Sequence, residues 1–191
     1  PLISWSIEHA LSTPEINRVI VSTDSEKIAN VARDAGAEVP FLRPKNLASF
    51  EAGKWKVFQH ALHACEEHYR ETFDLYVDLD CTNPLRDVAD ISACIEQFKR
   101  SKPRGVEGVF STCPARKNPY FNMLETDSVG ALKICKSLPG TVVRRQDAPT
   151  VLEHVASIYA LSPDYVRRVD NLLVGHTEGY NIGSEKSLDI D

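Results

Sequence analysis

A strand, a polar loop and a helix follow one another near the middle of the chain, and this order restricts the fold more than any other feature. Residues 75–79 carry alternating apolar side chains before Asn83-Pro84, which predicts a buried strand closed by a turn. From Asp87 onward, apolar residues recur every three to four positions as far as Phe98, which predicts a helix. In an open α/β sheet such a loop lies at the carboxyl end of a strand, where ligands bind. The polar residues of this loop, more than a turn requires, are Asp80, Thr82, Asn83 and Arg86.

The same alternation of strands and helices extends over most of the chain. Further helices are predicted at residues 2–12, 25–36, 54–70 and 163–169. Further extended segments are predicted at residues 18–24, 38–43, 108–114, 155–161, 178–183 and 188–191. This βαβ rhythm is typical of an α/β fold with a mostly parallel sheet. We therefore expect residues 1–191 to form a single domain.

Residues 115–154 interrupt this rhythm, and we refer to them as the excursion. Segments 120–125 and 131–135 are strand-like, and only a short polar loop separates them. This spacing predicts a small antiparallel unit outside the main sheet. We expect the excursion to provide a subunit contact.

Composition argues against several classes of partner. The chain has 22 Lys and Arg against 27 Asp and Glu, a net charge of -5, and no clustered basic face, which argues against nucleic acid and anionic membranes. No apolar run approaches the roughly 20 residues of a membrane span. The five cysteines are odd in number and include no C-x-x-C motif, which favours a reducing, cytoplasmic compartment.

Two aspartates near the end of the sequence are the first candidates for chemistry. In an extended Ser187–Asp191 segment, Asp189 and Asp191 project to one side and Ile190 to the other. Two such carboxylates suit Mg²⁺, which takes oxygen ligands and often shares them with substrate phosphates. The alternative is the polar end of a strand that faces solvent.

Two arginine segments are weaker candidates. Arg43 lies between an extended segment and Pro44, so its guanidinium is held where it suits a phosphate or a base edge, unless it is an ordinary surface arginine. Arg144 and Arg145 are adjacent and suit an anion such as a sugar carboxylate, unless they point apart into solvent. The histidines of helix 54–70 form no metal-binding pattern, and we interpret them as incidental.

Taken together and in this order, these segments resemble the N-acylneuraminate cytidylyltransferases, a family of CMP-sugar synthetases. Leu42-Arg43-Pro44 with Leu47-Ala48 is similar to the segment whose arginine contacts the nucleotide in that family. Residues 82–86 resemble its Thr-Ser-Pro-Leu-Arg loop, and residues 187–191 resemble its metal-binding Asp-x-Asp. The resemblance implies a three-layer, Rossmann-like nucleotidyltransferase fold whose antiparallel excursion builds a homodimer.

The resemblance also implies a reaction and a set of roles. The anomeric hydroxyl of an acidic nine-carbon sugar attacks the α-phosphate of CTP and gives a CMP-sugar and pyrophosphate. The implied catalytic residues, which hold Mg²⁺, are Asp189 and Asp191. The implied nucleotide contacts are Ser22, Arg43 and Lys54. The implied sugar contacts are Asp80, Thr82, Asn83, Asn122, Arg145, Gln146 and Tyr159.

The sequence departs from the family pattern at several positions. Asp80 stands where glutamine is common, and its charge repels an acidic sugar unless the carboxylate faces a metal or hydroxyl groups. Phe50 stands in the place of an aspartate and Val155 in the place of an asparagine. The family's Ala-Arg-x-Gly-Ser-Lys-Gly loop, which cradles the triphosphate, has no counterpart in the sequence. We expect this loop to be truncated or disordered rather than lost in evolution, and CTP binding to be poor without it. We also expect the C-terminal end to be missing.

Three further segments favour one subgroup, the enzymes for bacterial nonulosonic acids such as legionaminic acid. These segments are Lys54-Trp55, residues 118–123, and residues 144–149 with residues 156–159. Two alternatives stay open. One is CMP-Kdo synthetase, which shares the architecture. The other is a non-catalytic nucleotide-binding homologue, which the departures favour.

Overall fold

The computed structural model describes residues 1–140 and 143–190. Its helices are α1 (Leu2–Leu11), α2 (Glu26–Asp34), α3 (Lys54–Tyr69), α4 (Val88–Ser101) and α5 (Pro163–Arg168). Its strands are β1 (Tyr76–Leu79), β2 (Gly108–Pro114), β3 (Leu124–Thr126), β4 (Leu132–Ile134), β5 (Leu152–Leu161) and β6 (Thr177–Asn181). The predicted α/β class is confirmed. Single 3₁₀ turns occur at Lys45–Leu47, Lys102–Arg104, Arg145–Asp147 and Ser184–Lys186.

The central sheet has the strand order β1-β5-β2-β6 and is mixed. Strand β2 pairs in parallel with β6, whereas β5 runs antiparallel to both of its neighbours, β1 and β2. The prediction of a mostly parallel sheet is therefore corrected to a mixed sheet. The physical reason is that β5 follows the excursion, which already reverses the chain, so β5 returns beside β2 without a crossover helix.

Some extended segments predicted from the sequence are not strands. Segments 18–24 and 38–43 form no strand ladder, and their β-pairing is limited to an isolated parallel bridge between Ile20 and Glu38. Their apolar side chains instead pack with α1 and α2 in a small separate cluster around Ile7 and Ala32. Residues 188–190 form no strand either, and Asn118 turns the chain so that β3 begins only at Leu124. Alternation therefore indicated partial burial at segments 18–24 and 38–43 without specifying a sheet partner, and at residues 188–190 it indicated neither burial nor a strand.

Helices cover both faces of the central sheet and give three layers. On one face, α4 packs through Ile91 and Ile95 against Val109 and Ile158. On the other face, α3 and α5 pack against alternate residues of the same strands, with Tyr159 at the centre of that cluster. Strands β2 and β5 are therefore buried on both sides, as inner strands of an α/β sheet are.

A β-bulge between β2 and β5 brings two aromatic rings together on the α3 face. The register shifts so that Phe110 faces Tyr159 and Thr112 faces His154. The buried Ser111 hydroxyl bridges the irregular stretch, because it donates to the Val155 carbonyl at 2.7 Å and accepts from the Ile158 amide at 2.8 Å. As a result, the rings of His154 and Tyr159 lie 5.5 Å apart between centroids.

The excursion contains the predicted antiparallel hairpin, β3 paired with β4. Every residue of these two strands is exposed. Asn118 anchors its base, because this buried side chain donates to the Pro149 carbonyl at 3.1 Å and accepts from the Tyr120 amide at 2.9 Å. The last three residues of the excursion, 152–154, already belong to β5.

Within the described part of the chain, no helix combines the length and the apolar character needed to cross a bilayer.

Candidate active site

The candidate site lies at one edge of the central sheet. Strands β1, β2 and β6 point the same way, so their carboxyl ends reach the same edge. The loop Asp80–Arg86 follows β1, the excursion follows β2, and the segment Ser184–Ile190 follows β6. Three of the candidate segments named from the sequence therefore emerge side by side, where ligands bind in open α/β sheets.

Arg86 holds the Asp80–Arg86 loop in shape. Its side chain is 2% exposed and donates to the carbonyl oxygens of Asp80 and Asn83, both at 2.6 Å. It also contacts the Ser6 hydroxyl on α1. Burial lowers the pKa of this arginine from its ordinary value, but the nearby Asp78 and Asp80 favour the charged form. The sequence motif contains Arg86, but its role in shaping the loop emerges only from the structure.

The loop Asp80–Arg86, which we call the sheet-edge loop, is joined to α3 by an ion pair between Asp80 and Lys54. The Lys54 ammonium, at the start of α3, lies 2.6 Å from one Asp80 oxygen and 3.4 Å from Asp78. The other Asp80 oxygen accepts from the Thr82 hydroxyl at 3.0 Å and from the Thr82 amide at 3.2 Å. The ammonium also lies 4.5 Å from the centroid of the Tyr159 ring. Four predicted site residues therefore meet, although Lys54 was expected on the nucleotide side.

The surroundings keep this pair charged. Burial opposes the charge on Lys54, but the carboxylates of Asp78 and Asp80 and the Tyr159 hydroxyl raise the pKa of the ammonium above its ordinary value. Burial alone would raise the pKa of Asp80, but hydrogen bonds from Lys54 and Thr82 bring it below its ordinary value. Burial raises the pKa of Asp78, the more enclosed carboxyl. Lys54 and Asp80 thus form a true ion pair near neutral pH.

Asn83 joins the sheet-edge loop to the segment that carries the predicted metal ligands. Its side chain is fully buried, and its amide donates to the carbonyls of Lys186 at 3.1 Å and Leu188 at 2.9 Å. The Ile190 amide in turn donates to the Thr82 carbonyl at 2.9 Å. These bonds place Asp189, between Leu188 and Ile190, beside the Thr82-Asn83 turn. More than a hundred residues separate the two segments in the sequence.

Lys186 fixes the same segment to the start of α4. Its ammonium lies 2.6 Å from Asp90 and 2.9 Å from Asp87, the two residues of the capping box at the helix N-terminus. Local sequence patterns carried no signal for this contact, because the partners are about a hundred positions apart. The segment therefore has two independent anchors, one on the loop and one on the helix.

Beside the loop, Asp189 offers a carboxylate of the kind that Mg²⁺ binds. Asp189 is exposed, and within residues 1–140 and 143–190 its carboxylate makes no hydrogen bond or ion pair, so its oxygens are free to bind a cation. Asp191, the second predicted ligand, lies outside the described residues. No group of three or more His, Cys, Asp or Glu side chains suited to a metal occurs within those ranges. A site of one or two carboxylates completed by substrate phosphates is the usual arrangement for Mg²⁺.

Arg43 and Ser22, two of the residues predicted to contact the nucleotide, contact each other. The Arg43 guanidinium donates to the Ser22 hydroxyl at 3.2 Å and also contacts the Ser22 carbonyl. The Arg43 amide donates to the Thr23 carbonyl at 2.8 Å, which joins the two extended segments. Among the described side chains, no hydrogen bond links this pair to Lys54 or Asp80.

The remaining predicted sugar contacts lie at the base of the excursion. Arg145 donates to the carbonyls of Ala115 at 2.8 Å and Arg116 at 3.1 Å, just after β2. The Asn122 side chain accepts from the Asn118 amide at 2.8 Å and completes the turn there. Gln146 is exposed on the 3₁₀ turn beside Arg145. Where the structure describes these three residues, it shows no contact from them to Asp80 or Tyr159.

Two departures from the family pattern differ in their consequences. Val155 is 4% exposed and packs in the cluster under α4, so its apolar side chain contributes to the core. Phe50 is fully exposed, and nothing among the described residues explains it. All five cysteines are free thiols.

Comparison with known proteins assigns the chain to a family. The sequence profile of the family described as "Cytidylyltransferase" matches residues 1–150. The chain belongs to the cytidylyltransferase family. This assignment confirms the predicted resemblance and the predicted enzyme class, a nucleotidyltransferase.

Two curated relatives of this cytidylyltransferase match its whole length. The chain is 34% identical over 190 residues to "Post-translational flagellin modification protein B" of Campylobacter coli, a match that covers 100% of this chain and 78% of the relative. It is 35% identical, with the same coverage, to "CMP-N,N'-diacetyllegionaminic acid synthase" of Campylobacter jejuni. Among solved structures, a CMP:2-keto-3-deoxy-manno-octonic acid synthetase complexed with CTP superposes with a TM-score of 0.66. That match, at 13% identity, covers 96% of this chain and 80% of the other, and it shows a shared fold.

Proposed function

We propose that this cytidylyltransferase activates an acidic nine-carbon sugar of the nonulosonic class with CTP, giving a CMP-sugar and pyrophosphate. The full-length similarity to CMP-N,N'-diacetyllegionaminic acid synthase supports this class of sugar. The observation that carries the proposal is the hydrogen-bonded contact between the Thr82-Asn83 turn and residues 188–190. This contact puts the expected sugar loop beside the expected metal segment, as transfer between a sugar and a metal-bound nucleotide requires.

The chain's own residues divide into two sides around that contact. Ser22 and Arg43 face the nucleotide, and the planar guanidinium suits a phosphate or a base edge. Asp189, together with Asp191, holds Mg²⁺. Bound Mg²⁺ neutralises the negative charge that develops on the phosphates as pyrophosphate leaves. The residues that bind the sugar then orient its anomeric hydroxyl toward the α-phosphate.

The sugar side is formed by the sheet-edge loop and the base of the excursion. Its proposed members are Asp80, Thr82, Asn83, Tyr159, Asn122, Arg145 and Gln146. Arg145 carries a fixed positive charge that suits the sugar carboxylate. The buried Asn83 amide serves mainly to position the neighbouring segment, because both of its N–H groups are used there.

We include a homodimer in this proposal, with the excursion as the subunit contact. Several apolar side chains there are solvent-exposed in the single chain, including Val129 at 85%, Leu132 at 67% and Leu124 at 55%. Contiguous exposed apolar groups on a small hairpin are typical of a protein contact. In such a dimer the excursion of one chain completes the sugar side of its partner.

Pyrophosphate release tests the proposed reaction. The assay uses CTP, Mg²⁺ and a panel of acidic sugars that includes N,N'-diacetyllegionaminate, N-acetylneuraminate and Kdo, with the full-length protein. We expect turnover of a nonulosonic acid. Preference for Kdo would assign the protein to the sister enzymes that share its fold. Absence of pyrophosphate release with every sugar would favour a non-catalytic homologue.

A further inference from the structure

The position of Lys54 separates it from the nucleotide side. Its ammonium contacts Asp80, Asp78 and the Tyr159 hydroxyl, the last at 3.5 Å, and lies over the Tyr159 ring. Each of these groups belongs to β1, β5 or the loop that follows β1. Arg43 and Ser22 bind each other, and the structure shows no bond from either to Lys54 in the part of the chain that it describes. The contacts of Lys54 are therefore those of the sugar side.

The Asp80 carboxylate poses a charge problem that Lys54 solves. An acidic sugar carries its own carboxylate, and an unpaired Asp80 at the binding surface would repel it. The 2.6 Å contact with Lys54 makes the pair neutral. Both side chains remain open to a ligand, with 42% of the Lys54 side chain and 23% of the Asp80 side chain exposed. The pair is therefore reachable and uncharged overall.

The pair also retains hydrogen-bonding capacity. Asp80 accepts from Lys54 and twice from Thr82, which occupies three of the roughly four acceptor positions of a carboxylate. Lys54 has three N–H donors, and its contacts with Asp78 at 3.4 Å and Tyr159 at 3.5 Å are long. A ligand can therefore meet one acceptor and one donor side by side. Adjacent hydroxyl or acylamino groups of a sugar present the complementary pattern.

We propose that Lys54 is a specificity-determining residue of the sugar side, and that the Lys54–Asp80 pair recognises neighbouring hydroxyl or acylamino groups while masking the Asp80 charge from the sugar carboxylate. This inference rests on the proposed function. It reassigns Lys54 from the nucleotide to the sugar and gives the Asp80 departure a physical role. Asp78 and the Tyr159 ring act as positioning groups that hold the ammonium over the loop.

Direct binding of N,N'-diacetyllegionaminate tests the inference independently of turnover. Calorimetric titration is run on the full-length protein with CDP and Mg²⁺ present, for the wild type, Lys54→Met, Asp80→Asn and the double variant. Lys54→Met leaves the carboxylates of Asp80 and Asp78 without their cation, so we expect the sugar Kd to rise at least about tenfold, which equals roughly 1.4 kcal/mol. The double variant removes both charges, and we expect it to bind the sugar more tightly than Lys54→Met alone.

Two readouts separate recognition from mere structural support. The Kd for CDP is expected to change less than about twofold in all three variants, because the nucleotide side is untouched. The matched control is Lys56→Met, which breaks the exposed 2.6 Å pair between Lys56 and Asp170 on the same helix. We expect this control to bind sugar and CDP as the wild type does, because an exposed pair contributes little.

The outcomes are distinct. A parallel loss of sugar and CDP binding in Lys54→Met would return Lys54 to the nucleotide side and overturn the inference. Strictly additive effects in the double variant, or a wild type that binds no sugar, would overturn it as well. Selective, non-additive loss of sugar binding supports it, even where pyrophosphate release is absent and the proposed reaction fails.

Discussion

The sheet-edge loop and the neighbouring segment Ser184–Ile190 lie at the same end of the sheet as the excursion, yet the two regions are held in different ways. The loop Asp80–Arg86 and the segment Ser184–Ile190 are held by a buried arginine, a buried asparagine and a lysine on the α4 capping box. The hairpin of the excursion is exposed on all residues of both strands, and its base depends largely on Asn118. Internal bonds therefore preorganise the first region, which we call the preorganised region, whereas the second leaves its apolar side chains exposed in the single chain.

The sharpest test of the preorganised region is the loss of its proposed metal ligand. We expect Asp189→Ala to reduce pyrophosphate release about 10²–10³-fold, because Mg²⁺ on this carboxylate stabilises charge that develops in the transition state. Thermal unfolding is expected to stay near that of the wild type, since the side chain is exposed. The matched control is Glu185→Ala, an exposed acid on the same segment, which should keep its rate. Near-normal turnover in Asp189→Ala would remove the metal role.

The next largest effect should come from breaking the internal bonds themselves. Arg86→Met removes a buried cation that donates to the Asp80 and Asn83 carbonyls and leaves those acceptors unpaired. We expect the free energy of unfolding in urea to fall by about 3 kcal/mol. The exposed Arg100→Met on α4 serves as control and should change it by less than about 0.5 kcal/mol. A loss of similar size in both variants would mean that the loop is not held by Arg86.

The excursion should respond to substitution in the opposite way. Leu132→Glu places a charge on the exposed hairpin, and we expect the dimer Kd to rise about 100-fold, as for a central apolar contact. Light scattering after size exclusion measures the change. The unfolding free energy of the separated chain should hardly change, because Leu132 is not part of its core. Ile28→Glu, on the exposed face of α2, is the control and should leave assembly intact. A wild type that is monomeric at all concentrations would contradict the dimer.

The smallest expected effect is a pH dependence confined to the preorganised region. The Lys186 hydrogen bond and the capping amides lower the pKa of Asp87 below its ordinary 3.8. A depressed folded-state pKa contributes stability that is present above pH 3.8 and lost as the pH falls through the folded value. Asp87→Asn keeps a good helix cap but removes the charge. Urea unfolding at a series of pH values from 6 downward measures the free energy of unfolding. We expect this free energy to fall less steeply with decreasing pH in Asp87→Asn than in the wild type. If the free energy of unfolding fell equally steeply with pH in both proteins, the contact between Lys186 and Asp87 would make no contribution to the pH dependence of stability.

Local patterns predicted much of the scaffold and part of the site. Apolar periodicity located α3 at residues 54–70, and the structure has it at Lys54–Tyr69. The polar loop after β1 and the Asp189 segment were both recognised as candidates, and the structure places them in contact. The helix and the two candidate segments could be recognised because each depends on residues a few positions apart, whereas the contact between the segments spans more than a hundred positions.

Local patterns did not predict strand direction or the contacts between residues far apart in the sequence. The direction of β5 depends on how the excursion returns the chain, and periodicity is the same for parallel and antiparallel strands. The partner of Lys54 is 26 positions away, and the partners of Lys186 are 99 and 96 positions away. Charge alone does not select between such partners. The sequence resemblance therefore named several residues that the structure brings into contact, whereas the partners of Lys54 and Lys186 emerged only from the structure.

The bulge in β5 limits where the hairpin of the excursion can be replaced by another hairpin. The strand begins within the excursion at Leu152 and ends at the buried Leu161, with the bulge lying between. A one-residue insertion between Leu152 and the bulge could be absorbed there, but one after the bulge would invert the faces that follow. Tyr159 would then turn toward α4 and Ile158 toward α3. The hairpin can therefore be replaced only upstream of Leu152. The bulge determines which side chains of β5 face α3 and which face α4, and any replacement has to preserve that arrangement.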